Sequence, residues 1–110
     1  MDIKPNGPEH KRERDRLPNR RACETSSFKH AGADFTLSVG RYPDGKIGEL
    51  FIAVGLPNSA LDALASDAAI LASLALQHGC PLETITHALR RNSQGEAASP
   101  IGAALDRIQP

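Results

Sequence analysis

The chain contains no tryptophan, one tyrosine and three phenylalanines in 110 residues. So few aromatics exclude a base-stacking platform and a contact surface built on aromatic anchors. Two cysteines make neither a disulfide framework nor a cysteine-rich zinc site. No charge of one sign is in excess, since thirteen Lys+Arg oppose thirteen Asp+Glu. A chain-wide field that steers binding to nucleic acid or a membrane is therefore missing. Uninterrupted apolar runs fall far short of the ~18 residues that suggest a membrane span. Neither GxxxxGK[ST] nor GxGxxG occurs, so no nucleotide-binding loop is read, and there is no internal repeat. What remains is one small domain's worth of chain.

The charges are unevenly placed. Residues 1–21 hold seven Lys/Arg and four Asp/Glu, a net +3, balanced by −3 in the remainder. Their large apolar residues are Met1, Ile3 and Leu17, and Pro5, Pro8 and Pro18 interrupt them. Such a segment buries too little surface to offset the entropy of ordering it. The division expected is a disordered basic tail over 1–21 and a folded domain over 22–110. The tail also lacks the apolar core of a signal peptide. A cytoplasmic, thiol-reducing location follows, with Cys23 and Cys80 free. Arg12, Arg14, Arg16, Arg20 and Arg21 have the chemistry to contact phosphates. Glu13 and Asp15 interleave with them and no aromatic does, which favours a solvated segment and makes nucleic acid an unfavoured partner.

From Cys23 to Gly55 the pattern has period two. Phe35, Leu37 and Val39 alternate with Thr36 and Ser38, which predicts a strand with one buried face. Tyr42-Pro43-Asp44-Gly45 suits a turn, because proline presets φ and Asp-Gly accepts tight geometry. Lys46–Val54 is the returning strand. Leu50, Ile52 and Val54 share one face and Glu49, Phe51 and Ala53 the other, so this strand is expected at the sheet centre or covered on both faces. Glu24–His30, with Phe28 its one large apolar residue, fits an edge strand closed by Ala31-Gly32. His30 has no second ligand near it in sequence and reads as a turn residue, not a metal ligand.

The C-terminal half is helical in pattern. Asn58 or Ser59 caps a helix from Ala60 to His78, and Gly79 ends it. Asp62, Ser66, Ser73 and Gln77 fall in one narrow stripe, and almost all else is Leu, Ile or Ala. A helix this apolar is normally buried on more than one side, whereas three strands cover only one. The rest calls for other helices or a second subunit. Asp67 interrupts the apolar surface, so its carboxylate is expected to be paired, for instance with an arginine across an interface. Cys80-Pro81-Leu82-Glu83 opens a second helix, with Pro81 at the first helical position. Its apolar stripe is Leu82, Ile85 and Leu89. Ser99-Pro100 starts a third, with Ile101, Ala104, Leu105 and Ile108 on one face. Arg90 and Arg91, beside a polar loop carrying Gly95, form a candidate anion or interaction site. The architecture expected is α+β: a three-stranded antiparallel β-meander packed against a long helix plus two shorter C-terminal helices. Asp67, Arg90 and Arg91 are the candidate interaction residues.

Several segments together resemble the TSCPD-domain family, the C-terminal module of vitamin B12-dependent ribonucleotide reductases. They are Arg16-Leu17-Pro18, Phe35-Thr36-Leu37-Ser38-Val39-Gly40, the run from Tyr42 through Asp44-Gly45 to Ile52, and Ala72 through Leu76-Gln77-His78-Gly79 to Glu83. The family's naming signature would fall near Ala97-Ala98-Ser99-Pro100-Ile101. There the proline remains, but serine stands for the cysteine and isoleucine for the acid.

The resemblance implies a short stand-alone member linked to ribonucleotide reduction, and so to deoxyribonucleotide supply for DNA synthesis. It implies adenosylcobalamin in the longer relatives and no cofactor on this chain. Radical reduction needs a radical-bearing cysteine, a reducing cysteine pair and a shielding barrel, which two separate cysteines do not supply. No catalytic or metal residue is therefore assigned. The function expected is an accessory or regulatory module acting by protein contact, as a homo-oligomer and with a ribonucleotide reductase subunit as possible partner. Two alternatives stay open: a holoenzyme component contributing to nucleotide binding or turnover, and a nucleic-acid binder using the basic segment.

Overall fold

The computed structural model describes residues 13–55 and 59–108. Three strands are followed by three helices: β1 (Cys23–His30), β2 (Ala33–Arg41), β3 (Ile47–Val54), α1 (Ala60–Gln77), α2 (Leu82–Ala88) and α3 (Pro100–Arg107). The sheet is an antiparallel meander in the order β1-β2-β3. This is the expected α+β architecture.

The register follows from period two and two tight turns. Ala31 and Gly32 both take positive φ, 50° and 82°, the geometry that matches the right-handed twist of a two-residue hairpin. Tyr42 to Lys46 makes the second reversal, with Gly45 N–H donating to Tyr42 O at 2.9 Å and Gly45 at φ 90°. These turns place Phe35, Leu37 and Val39 opposite Val54, Ile52 and Leu50. Together with Phe28, they form the sheet's contribution to the core, joined by Ala65, Ala69 and Ala72 of α1 and Ile101, Ala104 and Leu105 of α3. Phe28 and Phe35 stack with centroids 5.2 Å apart.

One strand assignment is corrected. β2 is the central strand, and β3 lies at the border of the sheet. On its second face Phe51 is 51% exposed, so that face is not covered along its length. The outer edge of β3 is covered instead. Helix α1 lies along it, and the polar stripe of α1 points at it. Ser73 Oγ accepts from Leu50 N–H at 2.9 Å, and the hydroxyl has both Ala69 O, 2.8 Å away, and Leu50 O, 3.0 Å away, within reach of its single proton. Ser66 Oγ donates to Ile52 O at 3.3 Å, and Gln77 Nε2 to Gly48 O at 2.9 Å. Residues 48, 50 and 52 carry the backbone groups that β2 cannot reach. Side chains of α1 satisfy Gly48 O, Leu50 N–H and O, and Ile52 O, which masks much of the exposed row that makes an edge strand prone to aggregation.

The caps follow sequence. Ser59 accepts from Asp62 N–H and Ser99 from Gly102 N–H, each at 3.1 Å. Asn58, the other candidate cap for α1, lies outside the described residues. Pro81 is the N-cap of α2, one position before the expected site. The loop from Arg91 to Ala97 closes on a small antiparallel bridge. By length and mean hydropathy, 1.3 over 18 residues, α1 is the one described helix apolar enough to cross a bilayer. Uninterrupted runs understate it, because its two aspartates and its serines are spaced among leucine and alanine. Here one of its faces is taken up by β3.

Candidate functional site

Gln77, at the last turn of α1, is 3% exposed and ties three parts of the chain together. Its amide nitrogen holds β3 through Gly48 O. Its side-chain oxygen accepts from Arg14 Nε, and its backbone oxygen from Asp15 N–H at 2.7 Å. Residues 13–21 thus run as a strap across the end of α1 and the start of β3. The Tyr42 hydroxyl donates to Asp15 O. Leu17 packs where Gly48 has no side chain: a Cβ there would stand 2.9 Å from Leu17 Cδ1 and 2.8 Å from Tyr42 Cζ. Arg21 closes the strap through Glu49, a buried carboxylate, and also donates to Pro18 O at 2.8 Å. Glu49 lies opposite Gly40 in the ladder, and a Cβ at Gly40 would fall 2.7 Å from Glu49 Cγ. These contacts involve part of the segment expected as a tail; residues 1–12 lie outside the described residues, Arg12 among them.

Between the strap, the Tyr42–Lys46 turn, the α1–α2 junction and the end of α3 lies a broad open groove of about 1360 Å³. Apolar Leu76, Leu82 and Ile108 line it together with Arg16, Lys46 and Arg107. Burial raises the Tyr42 phenol above its ordinary pKa, and the Asp15 carboxylate adds to the effect. Tyr42 therefore stays a neutral donor throughout the physiological range. The groove's thiol is Cys80, half-buried, and among the described residues that line it none is a histidine. Among the described residues no three His, Cys, Asp or Glu side chains are grouped so as to hold a metal ion. The lining combines apolar and charged side chains.

The three candidate residues are not gathered into one site. Asp67 is exposed on α1, so the pairing expected of a buried carboxylate is not required of it. Arg90 is exposed, and its backbone oxygen accepts from Ala98 N–H. Arg91 spans the small hairpin and α3. It donates to Gly95 O at 3.1 Å and forks onto Asp106 at 2.9 and 2.7 Å. That bidentate pair holds the Asp106 carboxyl below its usual range and occupies the guanidinium face an anion would need. Among the described residues no ion pair joins Asp67 to either arginine. The Gln77 and Glu49 contacts escape sequence reasoning. Their signals are indirect: two glycines, Gly40 and Gly48, at positions where a pleated strand would ordinarily carry side chains.

The fold and these surfaces define a small α+β domain, with one helix laid along a sheet border and a strap across their junction. The TSCPD domain family model matches residues 6–108, and the chain belongs to that family. It is similar to the vitamin B12-dependent ribonucleotide reductase of Rhodopirellula baltica, 38% identical over 78 residues, which is 71% of this chain and 8% of the relative. The enzyme of that name from Agrobacterium fabrum is 42% identical over 77 residues, 70% of this chain and 6% of the relative. That of Bradyrhizobium diazoefficiens is 36% identical over 90 residues, 82% of this chain and 7% of the relative. The chain thus spans less than a tenth of the length of these three relatives. No solved structure matches it.

Proposed function

We propose that this protein is an accessory or regulatory module of ribonucleotide reduction, acting in the cytoplasm by contact with a ribonucleotide reductase. The observation that carries this reading is the asymmetry of the match. Most of the chain aligns with B12-dependent reductases, yet it corresponds to under a tenth of each of the three named above. A module of that size carries recognition more readily than radical chemistry, which needs a shielded barrel around its cofactor. The surface supports contact as the mode of action. Leu61, Leu64, Ile70 and Leu71 stand exposed on α1, and Phe51 on β3. Self-association, expected from the same helix, is the alternative form of contact, and the Asp67 carboxylate in the middle of that face opposes it.

The test is direct. The immobilised chain should retain a purified B12-dependent ribonucleotide reductase, and adding the chain should change reductase turnover or its nucleotide preference. A reductase that neither binds nor changes its rate removes the reading. Sedimentation of the chain alone across concentration decides self-association, and a monomer throughout removes that part.

A further inference from the structure

Helix α1 uses one face and leaves the opposite one bare. Ala65, Ala69, Ala72, Ser73 and Gln77 are buried against the sheet. On the other side Leu64 is 70% and Leu71 67% exposed, flanked by Ile70 and Leu61. At 3.6 residues per turn, Leu64, Asp67, Ile70 and Leu71 are immediate neighbours, separated by three or four positions. Asp67 therefore sits in the middle of the exposed apolar surface, itself exposed. A contiguous apolar surface of this kind marks a contact site.

The charge on this face decides between occupants. Ala60–Gln77 contains two aspartates and neither lysine nor arginine. Were a second copy to dock helix on helix, two Asp67 carboxylates would be buried with no lysine or arginine offered by either α1, and that arrangement is strongly disfavoured. A membrane surface is disfavoured too: helices that lie on bilayers border their apolar face with lysine and arginine, which attract anionic lipid. What complements an apolar stripe with one central carboxylate is an apolar stripe with one central cation.

We propose that the outer face of α1 is the docking surface for a helix of another protein, one carrying an apolar stripe and a single arginine or lysine midway along it. Leu64 and Leu71 provide the apolar contact. Asp67 sets the register, because a charged pair within an apolar seam is satisfied at one alignment only. The proposal rests on the reading that the protein acts by contact, and it specifies the surface and the chemistry of the partner.

The test uses two synthetic 18-residue amphipathic helices as probes, identical except for arginine or glutamate at the central position of the leucine stripe. Calorimetry against the full chain should show the arginine peptide binding at least tenfold more tightly. Leu71→Glu should abolish binding, and Asp67→Arg should reverse the preference between peptides. Both residues are exposed, so both variants should keep the native circular dichroism. Equal binding of the two peptides, binding of neither, or an unreversed preference in Asp67→Arg overturns the proposal. So does a dimer of the chain alone that Leu71→Glu dissociates, which assigns the face to a second copy. The two readings fail separately. Reversal by Asp67→Arg without retention of a reductase leaves the surface and removes the reductase. A reductase retained equally by the chain and by Leu71→Glu does the opposite.

Discussion

Glu49 keeps a carboxylate within the protein because two neighbours make room for it. Gly40 offers no side chain across the ladder, and Arg21 supplies the countercharge from the strap. Gly40→Ala would drive a Cβ into the Glu49 side chain and dislodge it from Arg21. The expected loss is about 1–3 kcal/mol, read from the urea midpoint. The Arg91–Asp106 pair behaves differently, because both side chains are about a third exposed. The Arg91 hydrogen bonds lower the Asp106 pKa in the folded state. A lowered folded pKa stabilises above the unfolded value, about 3.9, and that contribution is lost as pH falls through the folded value. Titration of Asp106 by NMR should show a pKa below that of an unpaired aspartate, and Arg91→Ala should raise it. The sequence shows Arg91 as a cation beside a loop. Only the fold brings Asp106 from α3 to meet it.

At the scale of elements, α1 performs two tasks with one face. Its alanines let it approach the sheet closely, and its hydroxyls and amide complete the hydrogen bonding of β3. Ser73→Ala removes the acceptor of Leu50 N–H and leaves that donor buried. It should cost about 1–3 kcal/mol, and hydrogen exchange at Leu50 should accelerate. Most elements are legible from sequence, because strand alternation, serine caps and Asp-Gly turns are local signals. The place of β3 is not. Its apolar residues on both faces resemble a central strand, yet Leu50 and Ile52 fill the core while Phe51 faces out. The stripe of Asp62, Ser66, Ser73 and Gln77 was legible as a stripe. That most of it turns toward the protein depends on an unpaired strand border, which periodicity does not encode.

At the scale of the whole molecule, the strap joins the first described residues to the end of α1 and the start of β3. Deleting residues 1–21 would remove the Arg21 partner of Glu49 and the Arg14, Asp15 and Leu17 contacts. Because Arg21 is 29% exposed, the expected cost is roughly 1–3 kcal/mol, below that of a fully buried pair. That corresponds to a fall in Tm of about 4 °C or more, which calorimetry would show. An unchanged Tm would mean that the strap contacts contribute nothing to stability. Composition and local pattern alone determined the class of this protein: one small α+β domain, its strands and helices, most of its core and its family resemblance. These depend on the period of apolar residues and on turn and cap chemistry within a few positions. Tertiary structure alone decided which strand is central, that Gln77 and Glu49 anchor residues 13–21, that Arg91 is already paired, and that Asp67 stands in the open among leucines. Each of these depends on side chains far apart in sequence meeting in space, and no local pattern carries that information.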